Sequence, residues 1–212
     1  MTRVLQLVFF LLVRVVVLFV LGLNVRRREW LPEDGPAILV ANHNSHLDTL
    51  VMMSLTPLAR IAKLRPVAAA DYFLANRAMA WFSLNILRII PIDRQKGAAG
   101  GDPLAECHEA LARGEVLILF PEGSRGEPEE MSGLKKGIAH LAGKNPDAPV
   151  VPVFTHGLGK ALPKGSFLLV PFFCDIFVGE PIAWPGDRAT FMNILTARFA
   201  SLSAEKTFAP WE

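Results

Sequence analysis

The sequence predicts an α/β fold, a central mostly parallel sheet flanked by helices, with an N-terminal hydrophobic membrane-anchoring helix in front of it. Three observations predict this. From residue 37 onward, apolar runs of strand length alternate with helical patterns, the pattern of a sheet covered on both faces. Three polar clusters, His43–Asp48, Asp93–Arg94 and Pro121–Arg125, each fall just past the end of a predicted strand, the edge where open α/β sheets collect their sites. Ahead of all this, Val4–Leu23 is an apolar stretch matching the ~20 residues a helix needs to cross a bilayer.

That stretch, VLQLVFFLLVRVVVLFVLGL, is interrupted only by Gln6, Arg14 and Gly22. Arg14 costs roughly 2.5–3.5 kcal/mol on the insertion scale, and each Leu, Val or Phe recovers about 0.3–0.6 kcal/mol, so the sum favours the membrane. The stretch exceeds the ~7–15-residue core of a secretory signal, and no A-x-A-like site follows. It is apolar all the way round, unlike an amphipathic surface helix. It either spans the bilayer or lies deeply embedded, with Arg14 reaching toward headgroups or a protein partner. Arg26, Arg27 and Arg28 follow and, by the positive-inside rule, put that end on the cytoplasmic side of a bacterial-type inner membrane.

Composition narrows the class further. A hydrophobic fraction of 51% exceeds what a soluble domain needs, and a net charge of +2 gives no sign of nucleic acid as a partner. Cys107 and Cys174 form no metal-like or redox pair, which suits a reducing compartment.

The elements follow in order. Leu31–Gly35 is a polar linker, Ala37–Ala41 a strand, and His46–Leu55 a helix ended near Pro57. Val67–Ala70 is a weak strand, Phe73–Leu87 a helix, and Ile89–Ile92 a strand interrupted by Pro91. Pro103–Arg113 is a helix closed by Gly114, Val116–Phe120 the clearest buried strand, and Leu134–Gly143 the next helix. Val150–Phe154 is a strand. Phe167–Phe173 and Asp175–Val178 read as two more, and Arg188–Glu205 as a closing helix.

The stretch VANHNSHLDTLVM carries two readings. Ser45 followed by Asp48 is the S-x-x-D pattern of a helix-capping box, and His43 with Asp48 is a base with its orienting acid. Other clusters tip the balance. Asn42–Asp48 has the form N-H-x-S-x-x-D, Arg88–Arg94 ends in I-D-R, and Phe120–Arg125 reads F-P-E-G-S-R. L-K-K-G at Leu134–Gly137 and V-P-V at Val151–Val153 come after. In this order and at these intervals, over residues 36 to 155, the chain resembles the glycerolipid acyltransferases, notably those acting on lysophosphatidic acid.

The resemblance implies acyl transfer from a thioester, acyl-carrier protein or acyl-CoA, to a lysophospholipid hydroxyl, with 1-acylglycerol-3-phosphate giving phosphatidic acid. It divides the chain into residues 1–30, a hydrophobic membrane helix with a basic flank, and residues 31–212, an acyltransferase domain. The catalytic residues it implies are His43 and Asp48. An alcohol is a poor nucleophile, so a neutral imidazole must take its proton as attack begins. The acceptor's phosphate calls for arginine forks or backbone amides. Arg94 and Arg125 are the arginines, with Glu122, Gly123 and Ser124 shaping the site. Lys135 and Lys136 are either further phosphate contacts or a solvated face. No cofactor and no metal is expected.

The chain departs from the family pattern at Ser124, where threonine is commoner, at Leu134, where phenylalanine is usual, and at Val67–Asp71, which lacks the lysines often found there. Lys63, Arg65, Arg77 and Arg88 would suit an acidic carrier protein if they share one surface. His46, His108 and His140 read as surface residues, and His156 as a residue bordering the site. Two alternatives stay open: an acyltransferase for another lysolipid, such as a lyso-ornithine lipid, and a metal-dependent hydrolase built on His43, His46 and Asp48. A third is a non-catalytic lipid-binding protein.

Overall fold

The computed structural model describes residues 2–73, 76–93, 101–123, 131, 133–162 and 168–206. Helix α1 (Thr2–Val20) runs straight into strand β1 (Leu21–Arg26). Then come β2 (Ala37–Ala41), α2 (Leu47–Ser54), β3 (Leu64–Ala69), the single-turn α3 (Ala70–Phe73), α4 (Arg77–Asn85), β4 (Ile90–Ile92), α5 (Ala105–Ala112) and β5 (Val116–Leu119). The described chain continues with α6 (Gly137–Lys144), β6 (Val150–His156), the single-turn α7 (Leu158–Ala161), β7 (Phe172–Val178) and α8 (Arg188–Ser203).

The strands form one sheet in the order β1-β7-β6-β2-β5-β3-β4. β2 is parallel to β5 and β6, and β3 to β5 and β4. β7 runs antiparallel to β6, and β1 parallel to β7, so these two strands point against the other five. All five residues of β2 are buried, as in a strand covered on both faces. Its side chains alternate between two cores. Ala37, Leu39 and Ala41 join Phe10 and Met52 from α1 and α2, whereas Ile38 and Val40 join Leu111, Leu141 and Phe199 from α5, α6 and α8. Each Leu, Ile or Phe so buried stabilises the fold by about 1.5–3 kcal/mol. A slip of one residue in β2 would exchange the two sets.

Helix α1 is long and apolar enough to cross a membrane, yet one stripe of it is docked on the domain. Gln6, Phe10 and Val17 are buried, and Phe9 meets Phe82 of α4 edge to face with centroids 5.2 Å apart. Both polar residues of the apolar run turn inward. Gln6 Nε2 donates to the Ile86 carbonyl at 2.9 Å, and Arg14 donates to the Thr56 carbonyl. Arg28 donates to the Leu55 carbonyl at 2.8 Å, so two guanidinium groups sit at the C-terminal end of α2, where the helix dipole favours cations. The remaining face, with Val4, Val8, Leu12, Val16 and Phe19, is exposed. The basic flank is tied to the domain too. Arg27 donates to the Val178 carbonyl and to Glu205, and the Arg26 guanidinium lies 5.1 Å from the centre of the Phe177 ring.

Several element boundaries differ from those the sequence predicts. The apolar run expected as helix to Leu23 is helical only to Val20; Leu21–Leu23 pair with Phe172–Cys174 as the start of β1. Hydropathy cannot tell a buried strand from a continuing helix over so short a run. Of the expected helix Phe73–Leu87, α4 covers Arg77–Asn85 and starts at Asn76, which caps it by accepting the Met79 N–H at 2.8 Å, while Phe73 ends the preceding turn α3. The helix expected from Leu134 begins at Gly137. Of the two strands expected over 167–178, the described residues hold one, β7, and Leu168–Pro171 lead into it without pairing. Phe167 lies outside the described residues.

Candidate active site

The site begins where β2 ends. Backbone pairing of β2 with β6 runs to Ala41 opposite Val153. One residue on, the Asn42 side chain takes over: its Oδ1 accepts the Thr155 N–H at 2.7 Å and its Nδ2 donates to the Thr155 carbonyl at 2.8 Å. With the side chain holding the neighbour, the backbone is released to turn outward at His43.

Asp48, fully buried in the first turn of α2, gathers that turn. One oxygen, Oδ2, accepts the N–H groups of Asn44 at 2.7 Å and Ser45 at 2.9 Å, and lies 2.9 Å from His43 Nδ1. The same carboxylate therefore both closes the turn that leads into α2 and holds the imidazole. The other half of the capping box is absent, since Ser45 Oγ accepts from Leu47 N and donates to the Leu162 carbonyl rather than binding Asp48 N. Burial pushes the Asp48 carboxyl above the ordinary carboxylate range, opposed by the hydrogen bond and charge of His43 and by the two backbone N–H groups.

With Nδ1 occupied by Asp48, Nε2 is the His43 nitrogen left for chemistry. The ring stacks on Phe120, centroids 4.2 Å apart and planes 22° from parallel, and its side chain keeps 20% exposure. It lines a cavity of about 620 Å³. From His43 the cavity is walled by Val67, Ala69, Leu119 and Ile138, and reaches Phe9 of α1 and Phe82 of α4.

Glu122 is 2% exposed, and its Oε1 accepts the His43 backbone N–H at 2.7 Å. This ties the loop after β5 to the loop after β2. Gly123 follows with φ +72°, a left-handed conformation that favours glycine, and the end of the Lys135 side chain lies directly against it. Lys135 lies along that glycine and lines the cavity, while Lys136 stands at the N-cap of α6. Arg94, Ser124 and Arg125 lie outside the described residues.

The remaining histidines and basic residues resolve separately, each on its own contacts. His46 is exposed and borders the cavity, and His156 is buried at the end of β6. Arg65 and Arg88 both bind Glu115, and Lys63 pairs with Asp34, so these three are engaged within the domain instead of forming one open basic surface. Asp102, His108 and His140 bring three potential ligand atoms within 4.8 Å of one another. Lys144 already binds Asp102 at 2.7 Å, Asn145 Nδ2 lies 2.7 Å from His108 Nδ1, and Arg188 lies 3.0 Å from His140 Nδ1, which suits an ion-pair cluster. Lys144 and the Leu104 N–H hold the Asp102 carboxyl down at about 2. Asn42 is the residue to which the sequence pattern assigns no role. Its signal was its place directly before His43, but its partner Thr155 is 113 positions away.

The His43 imidazole, held by the buried Asp48 carboxylate at the edge of a mostly parallel sheet, thus faces a cavity with a largely apolar wall. The family follows from comparison: the sequence model of the Acyltransferase family matches residues 22–156, and the chain belongs to that family. It is 31% identical over 145 residues to the chloroplastic 1-acyl-sn-glycerol-3-phosphate acyltransferase LPAT1 of Arabidopsis thaliana, a match covering 68% of this chain and 38% of that protein. To the human 1-acyl-sn-glycerol-3-phosphate acyltransferase alpha it is 28% identical, over 83% of this chain and 60% of the relative. The chain thus spans only part of the length of these relatives. The crystal structure of the 1-acyl-sn-glycerophosphate acyltransferase PlsC from Thermotoga maritima superposes with a TM-score of 0.71 at 22% identity, over 97% of this chain and 81% of that one, so the two share a fold.

Proposed function

We propose that this protein transfers a fatty acyl group from a thioester to the free hydroxyl of 1-acylglycerol-3-phosphate, forming phosphatidic acid. The observation that carries this is the His43–Asp48 pair at 2.9 Å opening on an apolar cavity of about 620 Å³. Asp48 accepts the Nδ1 proton and fixes the tautomer in which Nε2 is the base. Nε2 takes the proton of the acceptor hydroxyl as its oxygen attacks the thioester carbonyl. The tetrahedral intermediate collapses with loss of the C–S bond, and the imidazolium returns the proton to the departing thiolate. The attacking oxygen belongs to the substrate, so no acyl-enzyme forms.

Glu122 acts from behind, holding the His43 backbone so that the ring keeps its place. Lys135 at the cavity wall takes the acceptor's phosphate, together with Arg94 and Arg125 and with Gly123 and Ser124 shaping the turn. The exposed face of α1 lies in the bilayer, with residues 1–30 serving membrane contact and residues 31–212 catalysis, on the cytoplasmic side of a bacterial-type inner membrane. The donor is acyl-carrier protein or acyl-CoA.

The test is acyl transfer by the purified protein in vesicles, given 1-acylglycerol-3-phosphate and either donor, with phosphatidic acid followed by chromatography. Product is expected, and the faster donor identifies the partner. Transfer only to another lysolipid would keep the mechanism and overturn the acceptor; transfer to none would overturn the function. For Lys135→Ala, loss of one charge-assisted contact to phosphate is expected to raise the acceptor KM about tenfold and leave the donor KM unchanged. A rise in the donor KM instead would reassign the lysine to the thioester's phosphates.

A further inference from the structure

The run Leu168–Phe173 (LLVPFF) is apolar, yet the core uses little of it. Leu168 is 72% exposed and Phe173 82%, and Val170 and Phe172 are also open to solvent. A core strand would have buried such side chains, and a solvent-facing one would not have been built from them.

Their position follows from the reversed direction of β7. Its register with β6, His156 opposite Asp175, puts the start of β7 beyond the end of β6, on the same edge as His43. The run is wired to the catalytic loop. Val170 N donates to the Ala161 carbonyl, and Ser45 Oγ donates to the carbonyl of the next residue, Leu162. Gly157, in the turn after β6, lies so close that a Cβ there would approach Phe173 O to 2.7 Å. On its other side the run meets the end of α1. Phe173 pairs with Gly22, and its ring covers that glycine so closely that a Cβ would fall 2.7 Å from Phe173 Cε1. Leu18 and Phe19, just before Gly22, are among the most exposed side chains of α1. The Lys160 ammonium, 5.7 Å from the centre of the Phe172 ring, borders the patch where a cation would meet anionic headgroups.

We propose that Leu168, Val170 and Phe173 form a second bilayer-inserting element, continuous with the exposed face of α1, that presses the His43 edge of the sheet onto the lipid surface. This rests on the proposal that α1 itself enters the bilayer. With this edge held at the lipid surface, a lipid acceptor reaches His43 by a short displacement out of the leaflet.

Site-specific labelling of the full chain in anionic phospholipid vesicles tests it. Leu168→Cys and Phe173→Cys take an environment-sensitive fluorophore, with Leu12→Cys on α1 as the buried-in-lipid control and Ser201→Cys on α8 as the aqueous one. The native Cys107 and Cys174 are fully buried, and burial pushes the Cys107 thiol up to about 12, so neither competes for label. Nitroxide-bearing lipid is expected to quench positions 12, 168 and 173 about twofold or more and to spare 201, while aqueous iodide gives the reverse order. Iodide quenching at 168 and 173 equal to that at 201, with 12 still quenched by lipid, would overturn the second element alone. Loss of lipid quenching at 12 as well would overturn the bilayer placement of α1. Shielding of 168 and 173 from both quenchers would mean that protein covers the patch and would also overturn the proposal. Gly22→Val, which displaces the Phe173 ring, should reduce lipid quenching at the label on position 168 and leave 12 unchanged.

Discussion

Replacing His43 with alanine is expected to lower the rate of acyl transfer by about 10³-fold or more while leaving the acceptor KM within a few-fold of its starting value. In the proposed mechanism the imidazole meets the acceptor only at the hydroxyl being deprotonated, so its loss would fall on the transition state and not on ground-state binding. The fold should tolerate the change. The side chain keeps 20% exposure, and its ring stacks on Phe120 with centroids 4.2 Å apart. Glu122 holds the backbone N–H, which alanine retains. Steady-state kinetics with both donors, alongside circular dichroism and thermal unfolding, separate the outcomes. Activity within tenfold of the starting protein would remove His43 from the role of base.

Asp48→Asn is expected to be damaging to catalysis, about 10²–10³-fold, and not damaging to stability. Those two effects have different causes. An amide whose oxygen keeps the Asn44 and Ser45 N–H groups stays beside His43 Nδ1 but carries no charge, so in the proposed mechanism it can no longer stabilise the imidazolium formed at His43. The stability side follows from the direction of the shift. Burial raises the Asp48 carboxyl above its unfolded value, so the stability tied to this group is present at low pH and lost as pH rises through the raised folded value. At neutral pH the ionised, buried carboxylate is therefore a cost, and the neutral amide relieves it. The Asp48 Oδ1 oxygen has no hydrogen-bond partner among the described residues, so the substitution exchanges one unpaired polar atom for another. The thermal midpoint of the variant at pH 7 is expected to equal or exceed that of the unaltered protein, and the difference to shrink toward pH 4. A midpoint clearly lowered at pH 7 would show that the carboxylate stabilises the fold, and full activity would remove it from the site.

His43 and Asp48 could be found in the sequence because their relation is local. They are five positions apart, and the start of a helix brings them together with no help from elsewhere. The alternation of strands and helices is local in the same sense, and the buried central strand Val116–Leu119 was legible from its composition. What supports the site was not. Glu122 reaches the His43 N–H across 79 positions and Asn42 reaches Thr155 across 113, and no periodicity marks either pair. Gln6 and Arg14 looked like penalties for entering lipid. They are instead the residues that dock α1 on the domain, a distinction that depends on carbonyls exposed at the ends of α4 and α2.

The sequence by itself determined an α/β sheet whose polar loops gather at one edge, a histidine–aspartate pair at a helix start, and a front stretch long and apolar enough to cross a membrane. Each of these is written within a few residues, in side-chain period, capping chemistry and hydropathy. Tertiary structure alone decided that β1 leaves the apolar run to join the sheet, that β1 and β7 run against the other five strands, and that Leu168–Phe173 consequently lies on the His43 edge beside α1. Strand direction is set by pairing between segments as far apart as Asn24 and Asp175, 151 positions, and backbone hydrogen bonds of that span leave no local pattern in the chain.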